Sequence, residues 1–427
     1  MNPEAAMRIL ITNNALDERG GTELYTREVA LALLARGHHP MVFTLEPGKI
    51  ATELVAAGVP VVDDLSRLPA PPDVIHGHHV IETTLAAMTF RSVPVLSFCH
   101  GPEAWQEAPC RLPNVAGWVV VDEACRRRLV EDEGIPAGSI TLLLNFVDMA
   151  RFTPRADLPS LPRKALVFSN YLSASHPVMQ ALTEACSARG IALESRGSGF
   201  GNSCDSPEKL LPQYDLVFAK ARCALEALAS GCAVVQVDHF GAGRMISLAN
   251  FDEIRPLNFG FASMTAEPTA THIGSEIDRY DASDAAAVTQ RLRHVASLEA
   301  TVDRLVELYR QTLTFRPPDY DPAVAAADFL RFQLFLSKRP LYALKKTQGV
   351  RLRLPVPPLA GPLREIWQGT TSGHASLVEM RAARLQEKLT AQIDKSAQLK
   401  SKIADLQKQL AQLNNRPRGW RKWFGHR

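Results

Sequence analysis

Along the first third of the chain, short apolar runs alternate with longer stretches in which apolar residues return every three or four positions. Arg8 to Thr12 (RILIT) reads as a strand and leads into a loop holding Gly20 and Gly21. In the following TELYTREVALALLARG, Leu24, Val29, Leu31, Leu33 and Leu34 fall at helical spacing, and Gly37 stands where a left-handed turn would end the helix. Pro40 to Leu45 and Val59 to Val62 read as strands around a helix near Ile50 to Ala57. The alternation continues through DVIHGHH, a helix near Glu82 to Thr89, VPVLSFCHG and AGWVVVDEACRRRLVEDEG. Strands this apolar fit burial on two faces, as in parallel β-α-β units whose sheet is covered on both sides.

From Leu142 to Lys164 the periodicity gives way to an irregular segment with Pro154, Pro159 and Pro162, which marks a domain boundary near residue 150. Alternation resumes in ALVFSNY, a helix near His176 to Arg189, ALESRG, DLVFAK, the helical ARCALEALASG and CAVVQVD. A further helix near Asp284 to Leu313 closes this half. Residues 1–150 and 151–337 are each of ordinary domain size. A basic, proline-containing connector spans 338–373. Between 374 and 415, residues from Val378 to Leu413 recur on alternating four- and three-residue steps, interrupted by Gln392 and Ser396. That spacing predicts a coiled coil and a homo-oligomer, against a single amphipathic helix lying on its own body. The last stretch, 416–427, interleaves Trp420, Trp423 and Phe424 with five cations and no acid. This is the chemistry of an anchor on an anionic membrane surface; a solvated terminus is the alternative, and nucleic acid is not the expected partner.

Charge sharpens the division. The 427 residues carry 48 basic and 45 acidic side chains, net +3, but 19 basic and only 5 acidic residues lie from Lys338 onward, leaving 29 and 40 before it. An acidic body therefore carries a strongly basic tail. Seven scattered cysteines without a C-x-x-C pair suggest reduced thiols, with neither a disulfide framework nor a zinc site. No signal-peptide pattern and no run of 18 apolar residues is present, so a cytoplasmic protein, peripheral at the membrane if the tail binds it, is expected.

Three stretches combine into a wider pattern: the Gly-Gly loop with its helix, DVIHGHH with VPVLSFCHG, and VVVDEACRRRLVEDEGIPAGSITLLLNFVDMARFTPR. Together they resemble the N-terminal half of retaining glycosyltransferases of the GT-B fold, family-4 type. In that family the last stretch usually reads Asn-Gly-Val-Asp, then Phe and Pro. Asn145, Val147, Asp148, Phe152 and Pro154 match, while Phe146 replaces the glycine. YDLVFAKARCALEALASGCAVVQVD resembles the family's donor-binding helix and the strand after it. The resemblance, over roughly residues 7 to 315, implies two Rossmann-like domains facing across a cleft, with a C-terminal helical extension added here. It also implies transfer of a sugar from a nucleotide-sugar donor to a glycan, lipid-linked or protein acceptor, in surface polysaccharide or glycoconjugate synthesis. Configuration would be retained, with no metal and no cofactor beyond the donor itself.

Candidate residues follow. Gly20 and Gly21 allow a close backbone approach, and the helix after them offers free N–H groups suited to phosphate. His100, at the end of a predicted parallel strand, is by the resemblance the histidine that contacts the transferred sugar. His76, His78 and His79 read as structural or substrate-lining. Glu226, in an apolar helix, matches the family's ribose-binding glutamate, and a buried carboxylate there can accept from two hydroxyls. The chain also departs from the family. Phe218 stands where a partner glutamate is usual, and VFSNYLSASHP lacks the Arg and Lys that neutralise the diphosphate. Lys220 and Arg222 are the candidates to replace that pair, because a leaving diphosphate needs cations or a helix N-terminus. Gly197, Gly199 and Gly201 are a weaker candidate for a donor loop. Two rivals stay open: a GT-B-fold sugar-nucleotide epimerase, and a catalytically degenerate scaffold acting through its coiled coil.

Overall fold

In a computed structural model that describes residues 5–17 and 19–337, with side chains to residue 330, two sheets built on parallel strands are each sandwiched between helices. The expected coiled coil, connector and basic tail lie outside the described residues. The chain opens with β1 (Arg8–Thr12), a short β2 (Ala15–Leu16) and α1 (Gly21–Ala35), then β3 (His39–Phe43), a short β4 (Glu46–Pro47), α2 (Lys49–Ala56) and β5 (Val61–Val62). Next come β6 (Val74–Gly77), α3 (Val80–Thr89), β7 (Val95–Cys99), β8 (Val115–Val120), α4 (Glu123–Arg127) and β9 (Ile140–Leu142). Seven of these strands form one parallel sheet in the order β5-β3-β1-β6-β7-β8-β9. Ile11 sits between Val42 on one side and His76 on the other, which puts that histidine in the middle of the sheet.

The second half contains β10 (Lys164–Phe168), α5 (Pro177–Ser187), β11 (Ala192–Arg196), α6 (Pro207–Leu210), β12 (Leu216–Ala219), α7 (Ala221–Ala229), β13 (Ala233–Asp238) and β14 (Gly241–Met245). The helices α8 (Leu248–Ile254), α9 (Ala270–Ile277), α10 (Ala282–Val295), α11 (Leu298–Thr312) and α12 (Pro322–Ser337) follow. Its sheet runs β11-β10-β12-β13-β14, parallel except for β14. Two Rossmann-like sheets of this kind are the GT-B arrangement. Among the described residues no helix is long and apolar enough to cross a membrane.

One expectation is corrected. The single helix expected from Asp284 to Leu313 is two, because Ser297 acts as an N-cap: its hydroxyl accepts from the Ala300 amide at 3.1 Å, so a new helix starts there. Nor does α11 close the second half. Val302, Leu305 and Tyr309 are fully buried in the first domain's core beside Val29, Leu33 and Val42. A buried Val or Leu contributes about 1.5–3 kcal/mol, so α11 is a substantial part of the first domain's stability. A bridge between Val147 and Ser297 pins the crossing.

Candidate functional site

In an open parallel sheet, ligands bind beyond the C-terminal strand ends, at the point where the strand order reverses direction. In the first sheet that point lies between β1 and β6, whose exits are Asn13 and Asn14 on one side and His78 and His79 on the other. Thr12 donates from its hydroxyl to the His78 carbonyl at 2.8 Å, and the Asn14 amide donates to His79 Nδ1 at 3.1 Å. In the second sheet the reversal lies between β10 and β12, whose exits are Ser169 to Tyr171 and Lys220.

Around the first point the histidines form a buried chain. His76 Nδ1 meets the Tyr309 hydroxyl at 2.5 Å, its Nε2 meets His78 Nε2 at 2.6 Å, and His78 Nδ1 is 3.3 Å from the Thr26 hydroxyl. Each link needs one donor, so with neutral rings the protons all point the same way along the chain. Burial, assisted by nearby imidazole charge, holds His76 and His78 well below 6.5. Their role is therefore structural, and Tyr309 ties α11 to the sheet through them. Among the described residues no group of three or more His, Cys, Asp or Glu is arranged to hold a metal ion.

His100 follows β7, packed edge-on against Tyr25 and His78, with ring centroids at 4.7 and 4.4 Å. Burial lowers its pKa to about 4, with Glu107 opposing and His79 assisting. Its Nε2 is buried and has no hydrogen-bond partner among the described residues, so a neutral imidazole there is ready to bond a ligand hydroxyl. Glu107 steadies this loop: its Oε2 accepts from the His100 amide at 2.7 Å and its Oε1 lies 3.4 Å from His79 Nε2. Burial opposes the charged form of His79, but the Glu107 carboxylate outweighs it and raises the pKa. His79 also has φ +61°, a conformation seldom adopted by a side chain of this size and one that concentrates at functional sites.

Gly20 and Gly21 stand at the N-cap and first position of α1, but neither has a positive φ. A Cβ on Gly20 would meet the Glu23 carboxylate at 2.4 Å, so this helix end already faces an acid, which disfavours a phosphate there. Gly197 and Gly199 serve a different approach from the one expected. A Cβ at either would meet the carbonyls of Ser169 and Leu172, at 1.9 and 2.2 Å, so these glycines let their own loop pack on the β10 exit.

The second point gathers the other candidates on one short helix. Glu226 is 4% exposed on α7, and its Oε1 accepts from Arg222 Nε at 2.8 Å. Burial raises its pKa, while Arg222 opposes. Arg222 also reaches Glu28 of α1 at 2.5 Å, so the guanidinium put forward from the sequence as a partner for the diphosphate is held by two carboxylates. Lys220, the N-cap of α7, pairs at 2.5 Å with Asp238, whose other oxygen accepts from Ser169 and from the His239 amide. Burial would raise the Asp238 pKa, but the His239 ring, Lys220 and the His239 amide bring it to about 2. The Lys220 ammonium lies 4.4 Å from the Tyr171 ring and 5.2 Å from that of Phe240, two exposed aromatics at the mouth of the sheet. Ala221 enters α7 at φ +48°, its amide bound by the Phe259 carbonyl.

Sequence reasoning missed Glu28, Asp238, Glu107 and the junction residues Arg255 and Asn258. Asn258 bonds the Val121 carbonyl and, at 3.2 Å, the Asn145 amide; Arg255 bonds the Asn145 carbonyl at 2.5 Å. Asn145 was visible as a motif residue, but its use is of its backbone. Phe218 is fully buried in β12, so nothing at that position reaches a ligand.

Residues 19–151 match the family model described as Glycosyltransferase Family 4. A glycosyltransferase from Rickettsia africae is similar to the chain, with 16% identity and a TM-score of 0.54 over 72% of this chain and 99% of its own. HepE of Anabaena, solved with UDP and glucose, shows 14% identity and a TM-score of 0.53 over 71% and 99%. The same protein solved with UDP-glucose gives 16% identity and 0.53 over 71% and 100%. No curated protein matches the sequence. The chain has the GT-B fold, and its residues 19–151 are similar to Glycosyltransferase Family 4.

Proposed function

We propose that the protein is a glycosyltransferase that moves a sugar from a nucleotide-sugar donor to a glycan, lipid-linked or protein acceptor. The observation that carries this reading is Glu226: a buried carboxylate on the helix that follows the strand exit at the second sheet's reversal point, with one oxygen anchored by Arg222. A carboxylate so placed suits the vicinal hydroxyls of a ribose, and the binding of UDP-glucose by HepE supports a donor of that class.

In this reading the diphosphate lies at the N-terminus of α7, beside Lys220, and the flanking Tyr171 and Phe240 supply flat apolar faces for a ring of the donor. His100, kept neutral by burial, bonds a hydroxyl of the transferred sugar from the first domain. The acceptor hydroxyl oxygen forms its bond to the anomeric carbon as the bond to the diphosphate breaks. Its proton passes to a phosphate oxygen of the leaving group, on the same face, which retains configuration. Because Phe218 contributes nothing, sugar selection falls to other residues around Lys220 and Asp238. The basic, aromatic C-terminus would hold the enzyme at an anionic cytoplasmic membrane face, where lipid-linked acceptors and surface polysaccharide precursors are assembled. The heptad segment would pair chains.

The test is a screen of nucleotides and nucleotide sugars by thermal shift and calorimetry, followed by hydrolysis and transfer assays, on the wild type and on Glu226→Ala. Donor-dependent transfer that Glu226→Ala weakens at the binding step supports the proposal. Conversion of the donor to an isomeric nucleotide sugar, without an acceptor and without release of nucleotide, indicates the epimerase. Binding of no nucleotide indicates the scaffold, which the pairing of Arg222 and Lys220 with acids favours.

A further inference from the structure

The ion pairs around Glu226 cross from one domain to the other. Arg222 holds Glu226 Oε1 through Nε and Glu28 Oε1 through Nη2. Arg151, in the segment between the sheets, lies 3.8 Å from the same Glu28 oxygen and is itself committed to Glu208 at 2.7 Å. Three carboxylates therefore share two guanidiniums. Glu28 is 4% exposed, and its second oxygen is buried without a hydrogen bond from any described residue. A buried acceptor left unmet works against stability, so a simple tie between domains would be better served by an apolar contact of the same shape. The arrangement instead fixes one thing closely, the direction of the Glu226 carboxylate. Its Oε1 is anchored, and no described residue donates to Oε2, so the free oxygen is presented in one orientation.

We propose that Arg222 and Glu28 are positioning residues for donor recognition: Arg222 orients Glu226, and Glu28, from the opposite domain, holds Arg222 in place. This rests on the reading of Glu226 as the residue that binds the nucleotide ribose. The donor-binding carboxylate is then set only while α1 and α7 are in contact, so nucleotide binding and the apposition of the two domains support each other. Arg222 thereby has a different task from neutralising the diphosphate. With Nε and Nη2 each bonded to a carboxylate, it is more useful to Glu226 than to a phosphate.

The test measures binding of UDP, GDP and ADP to the full-length protein by calorimetry, and KM and kcat with whichever nucleotide sugar is turned over. The variants are Glu28→Gln, Arg222→Lys, Glu226→Ala and the double variant Glu28→Gln/Glu226→Ala. Glu28→Gln keeps the shape and removes the charge; Arg222→Lys keeps the charge but cannot span two carboxylates. Each single variant is expected to weaken nucleotide binding about tenfold and to raise the donor KM, with kcat within about twofold. The double variant should bind no more weakly than Glu226→Ala alone, because Glu28 acts through Glu226. A lower melting temperature with unchanged nucleotide affinity in both Glu28→Gln and Arg222→Lys would show a tie between domains and overturn the proposal. So would additive losses in the double variant. Unchanged binding in Glu226→Ala, or no nucleotide binding by the wild type, overturns the underlying reading and the proposal with it. If Glu28→Gln fails to fold, Arg222→Lys decides.

Discussion

Acidification from about pH 7 to about pH 5.5 tests the buried histidine chain, because His76, His78 and His100 are neutral in the fold and become protonated once it opens. Their folded pKa values lie below the unfolded value, well below it for the first two and at about 4 for His100. The unfolded state therefore binds more protons, so stability is intact above about pH 6.5 and is lost as the pH falls toward the folded values. At about pH 5.5 an unfolded histidine is roughly nine-tenths protonated, which amounts to about 1.2 kcal/mol for His100 relative to pH 7, with His76 and His78 acting in the same direction. His79, raised by Glu107, works the other way and returns at most about 1 kcal/mol over this range. The buried carboxyls of Glu82, Asp122 and Glu226, raised by burial, also favour the folded state as the pH falls. A variant isolates one histidine from this background. His100→Asn should lose about 1.2 kcal/mol less than the wild type between the two pH values, measured by urea unfolding at each. Equal losses in the two proteins would refute the view that His100 is buried and neutral, and with it the hydroxyl-bonding role assigned to it.

Tyr309→Phe removes the partner of His76 Nδ1 and should destabilise by about 1–3 kcal/mol in urea unfolding, since the imidazole nitrogen stays buried. Asn258→Ala takes away the bonds to Val121 and Asn145 and leaves alanine at φ +51°, so a loss of about 2–4 kcal/mol is expected by the same measurement. Asp238→Asn releases Lys220 and should tighten UDP binding about fivefold by calorimetry, unless the lost support of Ser169 and His239 collapses the loop, which the melting temperature reports. Truncation after Gly373 should convert an oligomer to a monomer in light scattering; an unchanged mass refutes pairing through the heptads.

The β/α alternation could be read from the chain because parallel strands are apolar throughout and their helices are periodic, and both are local signals. Strand order is not local. Nothing in RILIT says that it lies between PMVFTL and DVIHG, so the two reversal points were invisible until the sheets were assembled. The burial of Glu226 was legible from the apolar residues around it in ALEALASG, whereas its environment was not, because Glu28 lies 194 residues from Arg222. Glu28 itself looks like any solvated glutamate of an amphipathic helix; only the arrival of α7 against α1 makes it a buried one. For α11 the signal was present and misread. Ser297 followed by Leu298 and Glu299 is a helix start, and the apolar face beyond it matches a core, but a sequence cannot say whose.

The acidic character of the body takes on a specific meaning once its charges are placed. Near the proposed donor site every cation singled out from the sequence already has a carboxylate: Lys220 has Asp238, and Arg222 has Glu28 and Glu226. A diphosphate entering such a site cannot draw on unpaired positive charge, as it would where Arg and Lys stand free after the first strand of the domain. It must share Lys220 with Asp238 and rely on the amides at the N-terminus of α7, whose entry through Ala221 at φ +48° is held by the Phe259 carbonyl. Charge and amides then divide the work differently: the carboxylates set the direction of the side chains, and the backbone supplies the positive end. Such a site binds the nucleotide more through the ribose and the flat faces of Tyr171 and Phe240 than through phosphate charge. Its nucleotide affinity should accordingly fall less with added salt than that of a site built on two free cations.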